Sequence, residues 1–197
     1  MKNALLLHGT IFDPKMIGRE HLNNWFPWLK KELEKLKFKV RLPELPDAIH
    51  PNLENYWNFL KDFNFNHQTL IIGHSSGAAA IFGLLQKLPQ NKKIKLAISV
   101  AGFYKDEGWN CEKLFTQKFN WKKIKNQAEK ILLIYSDNDP VVKDHHVNYF
   151  AEQLNIKPIL ITGKKHFSIS SAGPTFSKFP QLLEIIRTNL KQTLPEN

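Results

Sequence analysis

The 197 residues carry 42% hydrophobic and 23% charged side chains, the balance of a soluble globular chain that can bury a core without disulfides or a structural metal. The formal charge of +10 is nearly all lysine: Arg19, Arg41 and Arg187 are the only arginines, and arginine is the side chain that grips phosphates and guanine edges, so no nucleic-acid partner is expected. The single cysteine, Cys111, excludes an internal disulfide and a cysteine-based zinc site.

Ala4-Leu5-Leu6-Leu7, stopped by His8-Gly9, reads as a short buried strand. The run is too short for a signal-peptide core, and nothing later approaches a membrane span, so a cytoplasmic protein without membrane attachment is expected. A loop containing Asp13-Pro14 and Gly18 leads to a helix with Asn23 at its start and Pro27 in its first turn, ending near Lys37. Its apolar positions are Leu22, Trp25, Phe26, Leu29, Leu33 and Leu36, at three- and four-residue steps. Residues 39–42 form a short strand before Pro43 and Pro46, and 52–63 a second helix facing inward with Leu53, Tyr56, Trp57 and Leu60. Strand 69–72, helix 76–88 and strand 95–100 follow, then an aromatic and charged stretch, 103–127, that fits no simple strand. Strand 130–135, helix 144–154, strand 158–161 and helix 179–194 complete the series.

Strands alternate with helices, and most strands are continuously apolar. That pattern predicts one α/β domain over residues 1–197, with a mostly parallel central sheet covered by helices on both faces. Ligands in such folds bind beyond the carboxyl ends of the strands, so the loops after each strand matter most.

Gly73-His74-Ser75-Ser76-Gly77 fits G-x-S-x-G, the nucleophile elbow. A strand-to-helix turn this tight strains its middle residue and leaves no room for side chains two positions either side, hence the glycines. Chance alone yields the pattern in roughly one 200-residue chain in fifteen, so its position between a strand and an apolar helix carries the weight. A phosphate loop fails because no lysine follows the glycines. Ser75 takes the apex as nucleophile, and Ser76, first in the helix, offers its backbone N–H to an oxyanion.

A nucleophilic serine needs a base and an orienting acid. After strand 130–135 stand Asp137 and Asp139. Asp139 is favoured, since Ser136, Asp139 and Val142 match G-x-x-D-x-x-V apart from the glycine, whereas Asp137 suits a turn or cap. After the last strand stands His166, which completes the order serine, acid, histidine. His145, His146, His21, His50 and His67 lie in or beside helices and read as surface residues, while His8 and His74 flank strand ends and would line the site. His8-Gly9-Thr10 would supply a second oxyanion donor, the backbone N–H of Thr10. Phe12, Phe103, Trp109 and Phe167 lie in loops nearby, either lining an acyl pocket or serving as core aromatics. No cofactor or metal is expected: H-E-x-x-H is absent, and Asp144-His145-His146 puts neighbouring side chains on different helix faces.

With these residues in place, the chain resembles the small serine hydrolases of the retinoblastoma-binding protein nine and YdeN-like family. The likeness runs from L-L-L-H-G and N-N-W-F-P-W-L-K-K-E-L, through G-H-S-S-G and A-G-F, to S-D-N-D-P-V-V and G-K-K-H-F. It implies a reduced α/β-hydrolase fold of about six strands without a large lid, with Ser75 as nucleophile, Asp139 as acid and His166 as base. The expected activity is hydrolysis of small carboxylic esters, with thioesters and amides the neighbouring classes. Acyl transfer through the same acyl-enzyme, or a non-catalytic protein-binding module with a vestigial triad, are the alternatives.

Overall fold

Every side chain from Ala4 to Leu7 is fully buried, and the computed structural model, which describes residues 1–191, shows why. β1 (Asn3–Leu7) lies inside a six-stranded sheet, paired in parallel on one side with β2 (Lys39–Arg41) and on the other with β3 (Thr69–His74). β4 (Ile94–Val100), β5 (Ala128–Tyr135) and β6 (Ile159–Leu160) extend the sheet to the order β2-β1-β3-β4-β5-β6, parallel throughout. A strand buried on both faces has no reason to alternate polar and apolar residues, which explains the continuous apolar runs.

Successive strand residues divide between two cores, as the two-residue period requires. Leu5, Leu7, Ile71, Ala97 and Leu133 meet α2 (Leu53–Leu60), α3 (Ser76–Lys87), α4 (Trp121–Asn126) and α5 (Asp144–Leu154). Leu6, Leu70, Ile72, Ile98 and Leu132 meet α1 (Phe26–Lys35) and α7 (Pro180–Lys191) on the other face. Each such leucine or isoleucine stabilises the fold by about 1.5–3 kcal/mol. α3 is buried from Ser76 to Leu85, and its run of glycine and alanine lets it lie close to the sheet. This is the reduced α/β-hydrolase architecture that the resemblance implies, and among the described residues there is no large lid.

Several boundaries differ from those the sequence predicts. The first helix starts at Phe26, after a 3-10 turn at Glu20–Leu22, because Asn24 takes a left-handed backbone (φ 53°) that breaks the periodic run. Leu22 consequently lies outside the helix and is exposed. The stretch 103–127 contains a 3-10 turn (Glu112–Leu114) and α4, whose six residues are too few for a clear period. A four-residue helix, α6 (Ile169–Ala172), follows the last strand unpredicted. Residues 192–194 of the predicted closing helix lie outside the described residues. Among the described residues no helix is long and apolar enough to cross a membrane.

Candidate active site

The chain turns outward in opposite directions from β1 and β3, because the strand order reverses there, and the two loops open a crevice at the carboxyl edge of the sheet. Ser75 stands at this point with φ 55° and ψ −123°, a strained conformation for a residue with a Cβ. The two glycines of the motif are forced by contact. A Cβ on Gly73 would lie 2.4 Å from the Gly77 carbonyl oxygen, and one on Gly77 would lie 2.4 Å from the carbonyl oxygens of both Leu7 and His8. Ser76 is the first residue of α3, where a helical N–H has no intrahelical acceptor.

Asp139 and His166 come from the loops after β5 and β6, 27 residues apart in sequence, and meet in a buried hydrogen bond of 2.8 Å between Nδ1 and Oδ2. The other oxygen of Asp139 accepts the N–H groups of Val141 (2.8 Å) and Val142 (2.9 Å), so its carboxylate is fixed before it meets the ring. Asp137 is exposed and instead accepts the Gly163 N–H at 2.8 Å. Ser75 and His166 face one cleft of about 320 Å³. No hydrogen bond joins them among the described residues; catalytic contacts of this kind commonly tighten only when substrate is bound. A groove of about 580 Å³ between β6 and α7 is larger, but its lining includes neither a serine nor a histidine.

Two buried histidines fasten the loops around this cleft. His74 donates from Nε2 to the His166 carbonyl at 2.7 Å, and burial drives its pKa down to about 3, keeping the ring neutral. Trp25, whose ring meets His74 edge-on, donates from its indole to the Phe167 carbonyl at 3.0 Å. His8 donates from Nδ1 to the Gly9 carbonyl and accepts the Leu45 N–H at Nε2, with its pKa also lowered by burial. Its bonds hold the backbone that leads into Thr10.

Thr10, expected as an oxyanion donor, lines the cleft, and so do Phe12 and His74 of the pocket residues expected from sequence. His8, Phe103, Trp109 and Phe167 do not. Phe103 packs against Trp109 at 4.7 Å and against Phe115, while Phe167 stacks on Phe179 at 5.3 Å, so the demand for core volume claims these aromatics. Met16, Glu20, Ser168, Ser170 and Ser171, which no motif marks, line the cleft as well, beside Asn23 and Val141. Burial pushes the Glu20 carboxyl up to about 7, the nearby Glu44 adding to the effect while Asn23 opposes it. The one advance signal was position, since Glu20 belongs to the long loop after the first strand. His146, expected at the surface, is fully buried against Phe103, Tyr104 and Trp109.

A family model described as "Serine hydrolase" matches residues 16–188. The chain is similar to Serine hydrolase RBBP9 of Rattus norvegicus, 25% identical over 177 residues that make up 87% of this chain and 89% of that protein. It is likewise similar to Putative hydrolase YdeN of Bacillus subtilis, 29% identical over 168 residues, 83% of this chain and 87% of that one. The crystal structure of the ydeN gene product superposes with a TM-score of 0.81 at 22% identity, covering 97% of this chain and all of that one.

Proposed function

The chain belongs to the serine hydrolase family, and from that premise we propose that it cleaves small carboxylic esters through Ser75, His166 and Asp139. The observation that carries the reading is the buried 2.8 Å bond between His166 and Asp139, formed between two loops that share an edge of the sheet with the strained Ser75. His166 Nδ1–H donates to Asp139, which leaves Nε2 with its lone pair free to take the proton from Ser75 Oγ. The oxygen attacks the ester carbonyl, and the backbone N–H groups of Thr10 and Ser76 receive the negative charge that develops on the carbonyl oxygen. The imidazolium returns its proton to the leaving alkoxide, and water, activated by the same ring, then releases the acid.

The cleft suits a substrate of modest size, since about 320 Å³ lies at the small end of ligand pockets. Its lining holds Asp13 and Glu20 but neither lysine nor arginine, so neutral esters fit it better than substrates bearing a carboxylate. Fluorophosphonate labelling tests the assignment. The native chain should label once, and Ser75→Ala should abolish both labelling and ester turnover, whereas Ser76→Ala should retain both. A folded native chain that does not label, or labelling that survives Ser75→Ala, would exclude Ser75 as nucleophile.

A further inference from the structure

α5 carries two adjacent histidines that the serine cleft does not use. Neighbouring helical residues are about 100° apart, so different faces are expected of them. One is indeed exposed and the other buried, yet their rings tilt together with centroids 4.1 Å apart. Both Nε2 atoms face the carboxylate of Glu107, which comes from the stretch after β4. His145 Nε2 lies 3.1 Å from Oε1, and His146 Nε2 lies 3.5 Å from Oε2. One ligating atom from each of the three residues lies within 4.8 Å of the others.

A second observation concerns His146 alone. Its side chain is fully buried, and among the described residues Nε2 makes no hydrogen bond, the Glu107 carboxylate standing off at 3.5 Å. On the other side of the ring, Nδ1 meets the Tyr104 N–H only at 3.4 Å. Buried ring nitrogens rarely go without a partner at ordinary length, and this one points at a carboxylate beside a second imidazole. Burial and the neighbouring His145 lower the His146 pKa to about 4, so the ring stays in the neutral form that ligates metals.

We propose that Glu107, His145 and His146 form a binding site for a single Zn2+-like divalent ion, with water completing the tetrahedron. Two imidazoles and one carboxylate select a borderline ion over Ca2+ or Mg2+, which prefer all-oxygen shells. Zinc bonds of about 2.0–2.1 Å place tetrahedral ligand atoms about 3.3–3.4 Å apart, so the three ligand atoms, now within 4.8 Å of one another, close by a short movement around the ion. His145 and Glu107 are exposed, so small side-chain rotations bring their atoms onto the ion. The ion displaces Lys105, whose exposed Nζ sits 3.1 Å from Glu107. Ligation through His146 Nε2 moves the ring proton to Nδ1, giving up the long contact with Tyr104. None of the three residues lines the serine cleft, so the ion would tie the loop after β4 to α5 and take no part in hydrolysis.

The test uses the full-length, untagged protein stripped with a chelator and titrated with Zn2+ in a calorimeter. One equivalent should bind, with affinity at least tenfold weaker in Glu107→Gln and in His145→Ala, both exposed positions whose circular dichroism should match the native chain. Nitrogen-15 NMR of the loaded protein should show His146 protonated at Nδ1 instead of Nε2, and a shifted Tyr104 amide. Fluorophosphonate labelling should be the same with and without the ion. Absence of a stoichiometric ion, or equal binding by native protein and both variants, would overturn the proposal.

Discussion

Asp139 spends one carboxylate oxygen on two backbone N–H groups and the other on His166, so nothing about its orientation is left to solvent. Asn at this position would present an amide N–H to Nδ1 and favour the wrong ring tautomer. In the proposed mechanism Asp139→Asn should lower kcat by about 10³–10⁴-fold with little change in KM, read from steady-state ester hydrolysis. Glu20 offers a second test. Its folded pKa of about 7 lies above the usual carboxylate value near 4.5, so the unfolded chain loses this proton first as pH rises. Stability from this group is therefore full below pH 4.5, falls between 4.5 and 7, and stays reduced above. Glu20→Gln should flatten that fall and raise Tm at pH 8 relative to the native chain, measured by thermal unfolding from pH 4 to 8. The proposed set of Ser75, Asp139 and His166 is legible in sequence because the three residues follow the apolar strands β3, β5 and β6 in the order that the proposed chemistry needs. Glu20, Ser168, Ser170 and Ser171 carry no spacing signal; only the folded path of the segments that hold them brings them to the cleft. The burial of His146 is not legible because the residue type alone says nothing about which face of α5 the stretch after β4 covers.

At the level of elements, the elbow depends on bare backbone approaching bare backbone. The two carbonyl oxygens that would meet a Cβ on Gly77 belong to β1 and its loop, which cannot swing aside as a side chain would. Gly77→Ala should destabilise the protein by at least about 3 kcal/mol, seen as a lower midpoint in urea without a change in slope. Strands were the most legible elements, because burial on both faces writes a continuous apolar run. Helix α2 was nearly as clear at its start, where Asn52 accepts the N–H groups of Glu54 and Asn55. The short elements were not legible: α4 and α6 span six and four residues, too few turns for a 3.6-residue period to emerge. Tertiary packing, Ile124 in the core for α4 and the Ser168 cap for α6, holds them instead.

Across the whole molecule, alternating strands and helices announced a parallel sheet, whereas the order β2-β1-β3-β4-β5-β6 had to come from the structure. No local pattern records which side of β1 receives β3. That order buries β1, β3, β4 and β5 between neighbours and leaves β2 and β6 with one partner each. Amide hydrogen exchange should therefore be slowest in residues 4–7, 70–73, 96–100 and 131–134, and much faster in β2 and β6. Uniform exchange across the six strands would contradict the arrangement. The same order governs behaviour in concentrated solution. The longest apolar strands, β4 and β5, are inside, while the free margins offer only three residues on one side and two on the other. The three-residue margin also carries the cationic Lys39 and Arg41. A second molecule therefore finds few unpaired rungs on which to build intermolecular sheet, and the chain resists aggregation by the brevity of its edges.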